Sequence, residues 1–76
     1  MKAQDDFIDQ MTRKRLVEWC SSCLNSPLGN FTPASQELVY VRYAILKKWV
    51  SEVKDSVTTY KVLSAGWDTA ARFLKR

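Results

Sequence analysis

The residues best placed for chemistry are two cysteines three positions apart, Cys20 and Cys23, in the run Trp19-Cys20-Ser21-Ser22-Cys23. Trp-Cys-x-x-Cys is the arrangement of dithiol redox sites, in which a helix N-terminus lowers the pKa of the first thiol. That chemistry needs a strand leading into the start of a helix. Here the pair falls near the end of a helix, where the dipole acts in the opposite sense. A zinc site needs four ligands, and the chain holds two Cys and no His. Only two copies pooling their thiolates would complete one. Packing is the simpler use of both side chains.

Other catalytic equipment is thin. Without His the chain lacks the commonest general base and the Ser-His and Cys-His pairings. The carboxylates Asp5, Asp6, Asp9, Glu18, Glu37, Glu52, Asp55 and Asp68 fall mostly at helix starts or on polar faces, where capping and solubility account for them. Gly29 and Gly66 are the only glycines, so no glycine-rich phosphate loop exists. The expectation is a protein that is not an enzyme, with no cofactor and no metal.

Charge leaves one binding class open. Twelve Lys and Arg against eight Asp and Glu give a net +4, enough to help association with nucleic acid without implying it. Arg13-Lys14-Arg15 fan out around a first helix, with Arg15 bordering its apolar stripe. Lys61, Arg72 and Lys75 fall together on the polar face of a third helix, with Arg76 just beyond. Arg13, Lys14, Lys61, Arg72, Lys75 and Arg76 are therefore the nucleic-acid candidates; a solvated face is the plain alternative. A helix-turn-helix over 58–76, with Gly66 as the turn, places Arg72 and Lys75 where the recognition helix needs apolar residues. It is a poor match.

Arg42 carries more information than any motif. It falls inside the apolar arc of a second helix, between Leu38, Ile45, Leu46 and Trp49. An unpaired buried charge is prohibitive, so Arg42 must pair with an acid, reach to solvent, or face a partner. An internal pair is the first expectation. Arginine and aromatics are also the side chains enriched at interface hot spots. Three each of Trp, Tyr and Phe are more than a small core absorbs, and Phe7, Met11, Tyr40 and Phe73 lie off the main stripes. With Arg42 and Trp49 these form the candidate partner-binding set.

The elements that must position these residues read as helices. Residues 5–24 set Ile8, Thr12, Leu16, Trp19 and Cys23 in one stripe, with Asp5 or Asp6 as cap. Residues 25–30 hold a Pro and a Gly and form a loop. Thr32 followed by Pro33 marks the start of a second helix over about 33–54. Its apolar residues span an arc of about 200°, roughly twice what one neighbour requires, so it is central or shared with a second copy. Leu38 to Leu46 is β-branched enough to suit a strand, but the helical spacing continues through Trp49 and Val50 with no turn signal. A third helix over 56–75, capped by Ser56, carries Tyr60, Leu63, Trp67, Ala70, Ala71 and Leu74. Gly66 within it either admits another backbone or ends it, with Asp68 then capping a short fourth helix.

The reading is thus all-α: one domain over 1–76, a small three-helix bundle, or a four-helix one if Gly66 breaks the last. No apolar run approaches the roughly 18 residues of a membrane span. Acidic residues occupy the place of a signal sequence, so a cytoplasmic protein with reduced thiols is expected. The function expected is that of a small regulator, adaptor or inhibitor that binds a larger protein assembly, with homodimerisation as a further use of the wide arc. Nucleic-acid binding is the alternative, and a Cys-pair redox or metal role is remote.

Overall fold

A computed structural model describes residues 2–75, with side chains accounted for over 6–75. The element order is α1 (Lys2–Leu24), a single 3-10 turn (Ser35–Glu37), α2 (Leu38–Leu46), β1 (Val50–Lys54), β2 (Thr58–Val62) and α3 (Ser64–Leu74). The fold is mixed: three helices with a two-stranded antiparallel sheet among the described residues, not an all-α bundle.

The first helix follows its sequence pattern. Thr12, Leu16, Trp19 and Cys23 of the expected stripe are buried, and Thr12 satisfies its hydroxyl by donating to the Ile8 carbonyl at 2.7 Å. The helix begins before Asp5 and Asp6, so neither caps it. Beyond the loop, Phe31 is fixed by two backbone hydrogen bonds to Tyr60, 2.7 and 2.9 Å long. Its ring stacks on Trp19 at 5.0 Å between centroids, a contact worth about 1 kcal/mol beyond its buried area. That anchor keeps 32–34 out of helix, and Thr32-Pro33 is not the start of α2. The Glu37 carboxylate instead accepts the Ala34 N–H at 3.1 Å, and the chain enters α2 through the 3-10 turn.

The expected helix over 33–54 breaks at Lys48. The Trp49 N–H donates to the Ala44 carbonyl at 2.8 Å and the Lys48 N–H to the Ile45 carbonyl at 3.0 Å. This pair of bonds is the Schellman ending, which requires a left-handed residue between them. Lys48 supplies it at φ 65°. Glycine normally stands there, because a side chain in this conformation costs about 1 kcal/mol or more. Tyr43 meets Trp49 edge-on at 6.0 Å across the ending, the apolar clasp that commonly accompanies it.

After that reversal, Val50–Lys54 and Thr58–Val62 form a hairpin with Val50 opposite Val62, Glu52 opposite Tyr60 and Lys54 opposite Thr58. The expected third helix over 56–75 is therefore a strand in its first part, and Ser56 lies in the hairpin turn rather than at a helix cap. Val50 and Val53 are three apart, a spacing that suits a helix stripe and in a strand puts them on opposite faces. The β-branched content of both strands and their mutual pairing decide for the sheet.

Helix α3 starts at Ser64, and Gly66 sits in its first turn rather than at a break. A Cβ on Gly66 would stand 2.2 Å from the Trp49 carbonyl oxygen and 2.7 Å from Val62 Cγ1. The glycine is there so that the helix can lie against the helix–strand corner. The Leu63 N–H donates to the same Trp49 carbonyl at 2.8 Å, and Trp67 Nε1 donates to the Val62 carbonyl at 3.1 Å. No separate fourth helix forms at Asp68. The core lies between α1 and the remaining elements, with Leu16, Val41, Ala44 and Val50 almost wholly enclosed.

Candidate protein-docking surface

The positions that carry chemistry in other folds are occupied by structural work here. Cys20 and Cys23 are free thiols, both buried, near the C-terminal end of α1. Burial, with Cys23 alongside, pushes the Cys20 thiol up to about 11. Burial also raises Cys23, partly offset by a backbone hydrogen bond at Val62. Neutral, enclosed thiols are poor nucleophiles and poor metal ligands at neutral pH. Among the described residues no three carboxylates or thiols gather as a metal site.

Asp9 is likewise spoken for. Burial opposes its ionisation, but hydrogen bonds from Tyr43 and Arg13, with the charges of Arg13 and Lys47, outweigh it and hold the carboxyl below its ordinary value. Tyr43 Oη donates to Oδ1 at 2.7 Å, and Arg13 Nε to Oδ2 at 2.7 Å. The Arg13 guanidinium also lies over the Trp49 ring at 5.1 Å. This cluster clips α1 to α2 and to the corner after it. A second clip runs through Arg15, whose guanidinium covers Tyr40 at 4.3 Å while its Nε stands 3.7 Å from Glu37 Oε2.

The nucleic-acid candidates are dispersed. Arg13 and Lys14 are on α1, Arg72 is on α3 with Lys75 just past its end, and Lys61 is on strand β2 rather than on a helix with the last two. Arg13 is tied to Asp9, and Arg72 to Asp68 at 3.1 Å. Arg76 lies outside the described residues. Strand pairing over 58–62 also removes the first helix of the helix-turn-helix reading.

The partner-binding candidates divide differently. Trp49 is enclosed, 6% exposed, at the helix–strand corner. Tyr40 is half-buried beneath Arg15, and Met11 and Phe73 are half-buried. Phe7 is exposed on α1. Arg42 is exposed and makes no ion pair among the described residues, so the expected internal partner is absent.

The surroundings of Arg42 on α2 are aliphatic. Helix α2 packs on α1 through Val41 and Ala44. At about 100° per residue, Leu38, Val39, Arg42, Ile45 and Leu46 occupy one continuous face that begins beside Val41 and turns away from Ala44. Leu46 and Val39 are the most exposed of the apolar four, by 81% and 55%, Leu38 and Ile45 are open by little more than a third, and Arg42 is exposed. A nine-residue helix thus turns four aliphatic side chains outward around a single guanidinium. Sequence reasoning located the arc and Arg42 within it, but did not separate the half that points outward.

A second apolar surface went unnoticed in the sequence. Val17, Cys20, Ser21 and Leu24 of α1 face Trp67, Ala70, Ala71 and Leu74 of α3 across an open groove of about 290 Å³. Each helix contributes positions i, i+3, i+4 and i+7, one helical face. The spacing read as the core stripe of the third helix therefore lines this groove, with Leu24 and Leu74 largely exposed. No charged side chain lines it.

No helix of the described residues is long and apolar enough to cross a membrane. No protein-family model, curated protein or solved structure matches this chain.

Proposed function

We propose that this protein is a non-enzymatic protein-binding module, acting as a regulator, adaptor or inhibitor through the outward face of α2. The observation that carries the reading is the exposed set Leu38, Val39, Ile45 and Leu46 around Arg42. Contiguous apolar surface rimmed by polar residues is where soluble proteins bind others, because burying it releases ordered water at little desolvation cost. An arginine amid aliphatics adds directional hydrogen bonding at the centre of such a patch. Nucleic-acid binding is less well supported: its candidate side chains stand on three different elements, and two are already held by carboxylates.

Affinity capture from a lysate of the source organism tests this, with and without nuclease, using wild-type protein beside a Val39→Ser/Leu46→Ser variant. Both positions are exposed, so the variant should keep the wild-type circular dichroism. The expected result is a protein captured by wild type regardless of nuclease and lost with the variant. Capture that vanishes on nuclease treatment, or that survives the double substitution, refutes the proposal.

A further inference from the structure

We infer that the partner seated on α2 is an amphipathic helix carrying carboxylates among its aliphatic residues, an inference that rests on the docking role of that face. Three observations select this occupant. The face is the side of a helix of nine residues, about 13 Å long, and its neighbouring side chains form the ridges that another helix accepts in its grooves. Its only charge is Arg42, exposed and without an ion pair among the described residues. The charges flanking the helix are biased as well: Lys48 follows its C-terminal end and is exposed, Lys47 beside it is turned to the Tyr43 and Trp49 rings, and Glu37 at the other end is drawn to Arg15 and the Ala34 N–H.

A guanidinium buried on docking needs an acceptor that matches its fork, and a carboxylate does so with two parallel hydrogen bonds. A partner offering only aliphatics would strand the charge, and one offering Lys or Arg would be repelled. The same argument weighs against a second copy of this chain. Arg42 stands at the middle position of Leu38–Leu46, so a two-fold axis through the centre of the face sets two guanidiniums against each other.

The test is a selection from a displayed library of helical peptides with fixed Leu positions at i, i+3 and i+7 and randomised positions between them. Wild-type protein and Arg42→Glu are used as separate baits. Wild type should enrich Asp and Glu at positions bordering the fixed Leu, and Arg42→Glu should enrich Lys and Arg there. A selected acidic peptide should bind Arg42→Glu more weakly by on the order of 30-fold, the loss of a central hot spot. Val39→Ser/Leu46→Ser should abolish its binding.

Enrichment with no charge preference, or the same preference with both baits, overturns the inference. So does light scattering that gives twice the 8.8 kDa chain mass for wild type and the single mass for the double Ser variant, since a second copy then covers the face. If the lysate experiment still shows capture through α2 in any of these cases, the docking role stands and only the identity of the occupant is wrong.

Discussion

Replacing Gly66 with alanine separates two accounts of the last third of the chain by sign. If α3 were an ordinary solvated helix, Gly66→Ala in its first turn would stabilise it by up to about 1 kcal/mol, the propensity difference in a helix interior. In the structure the new methyl group meets the Trp49 carbonyl oxygen at 2.2 Å and Val62 Cγ1 at 2.7 Å. The oxygen belongs to backbone and accepts the Leu63 N–H at 2.8 Å, so neither side can yield without loss. Relief requires the first turn of α3 to move away by about 1 Å. That weakens this hydrogen bond and the one from Trp67 Nε1 to Val62. Forced overpacking costs about 3 kcal/mol at the upper end of its usual range. Subtracting the propensity gain leaves a net loss of about 2 kcal/mol. For a domain of this size that lowers Tm by roughly 10 °C. Thermal and urea unfolding followed by circular dichroism measure it. A Tm equal to or above wild type would refute the close approach of α3 to the helix–strand corner, and with it the account of why the hairpin and α3 share that corner.

Three further outcomes follow from the same contacts. Lys48→Gly should raise the urea midpoint, with a gain of about 1 kcal/mol, because φ 65° strains any side chain at that position; a lower midpoint would contradict the Schellman ending. The depressed Asp9 pKa makes a contribution to stability that is complete above the ordinary value of 3.8 and lost as pH falls through the lower folded value. Asp9→Asn should therefore be less stable than wild type at neutral pH and lose less on acidification below pH about 4, and parallel stability curves would count against the Tyr43–Asp9–Arg13 clip. With their pKa values raised by burial, Cys20 and Cys23 should react slowly with a disulfide reagent at pH 8 in the native state and rapidly in denaturant. Rapid native labelling would mean that the groove side of α1 opens readily.

The first helix was legible in the sequence because its period repeats over twenty-odd residues with no competing pattern, and Thr12, Leu16, Trp19 and Cys23 face inward as that period requires. The second was legible only in part. Its ending depends on a left-handed lysine, and lysine gives no such signal where glycine would. The strands after it resemble helix locally, since Val50 and Val53 lie three apart. Their pairing with 58–62 is a contact between segments that local periodicity does not register. Lys61 moved from a helical face to a strand for the same reason.

By itself the sequence determined that catalytic equipment is sparse, that an apolar arc surrounds Arg42, and that Gly66 needs either a break or a close neighbour. Only the tertiary structure decided which of those alternatives holds and which half of the arc is free. Packing against α1 consumes the side of α2 bearing Val41 and Ala44, and leaves Val39, Arg42 and Leu46 to solvent and Leu38 and Ile45 partly so. The physical reason is that an arc wider than one neighbour can cover leaves part of itself to solvent. Which part is left is set by the neighbours already in place.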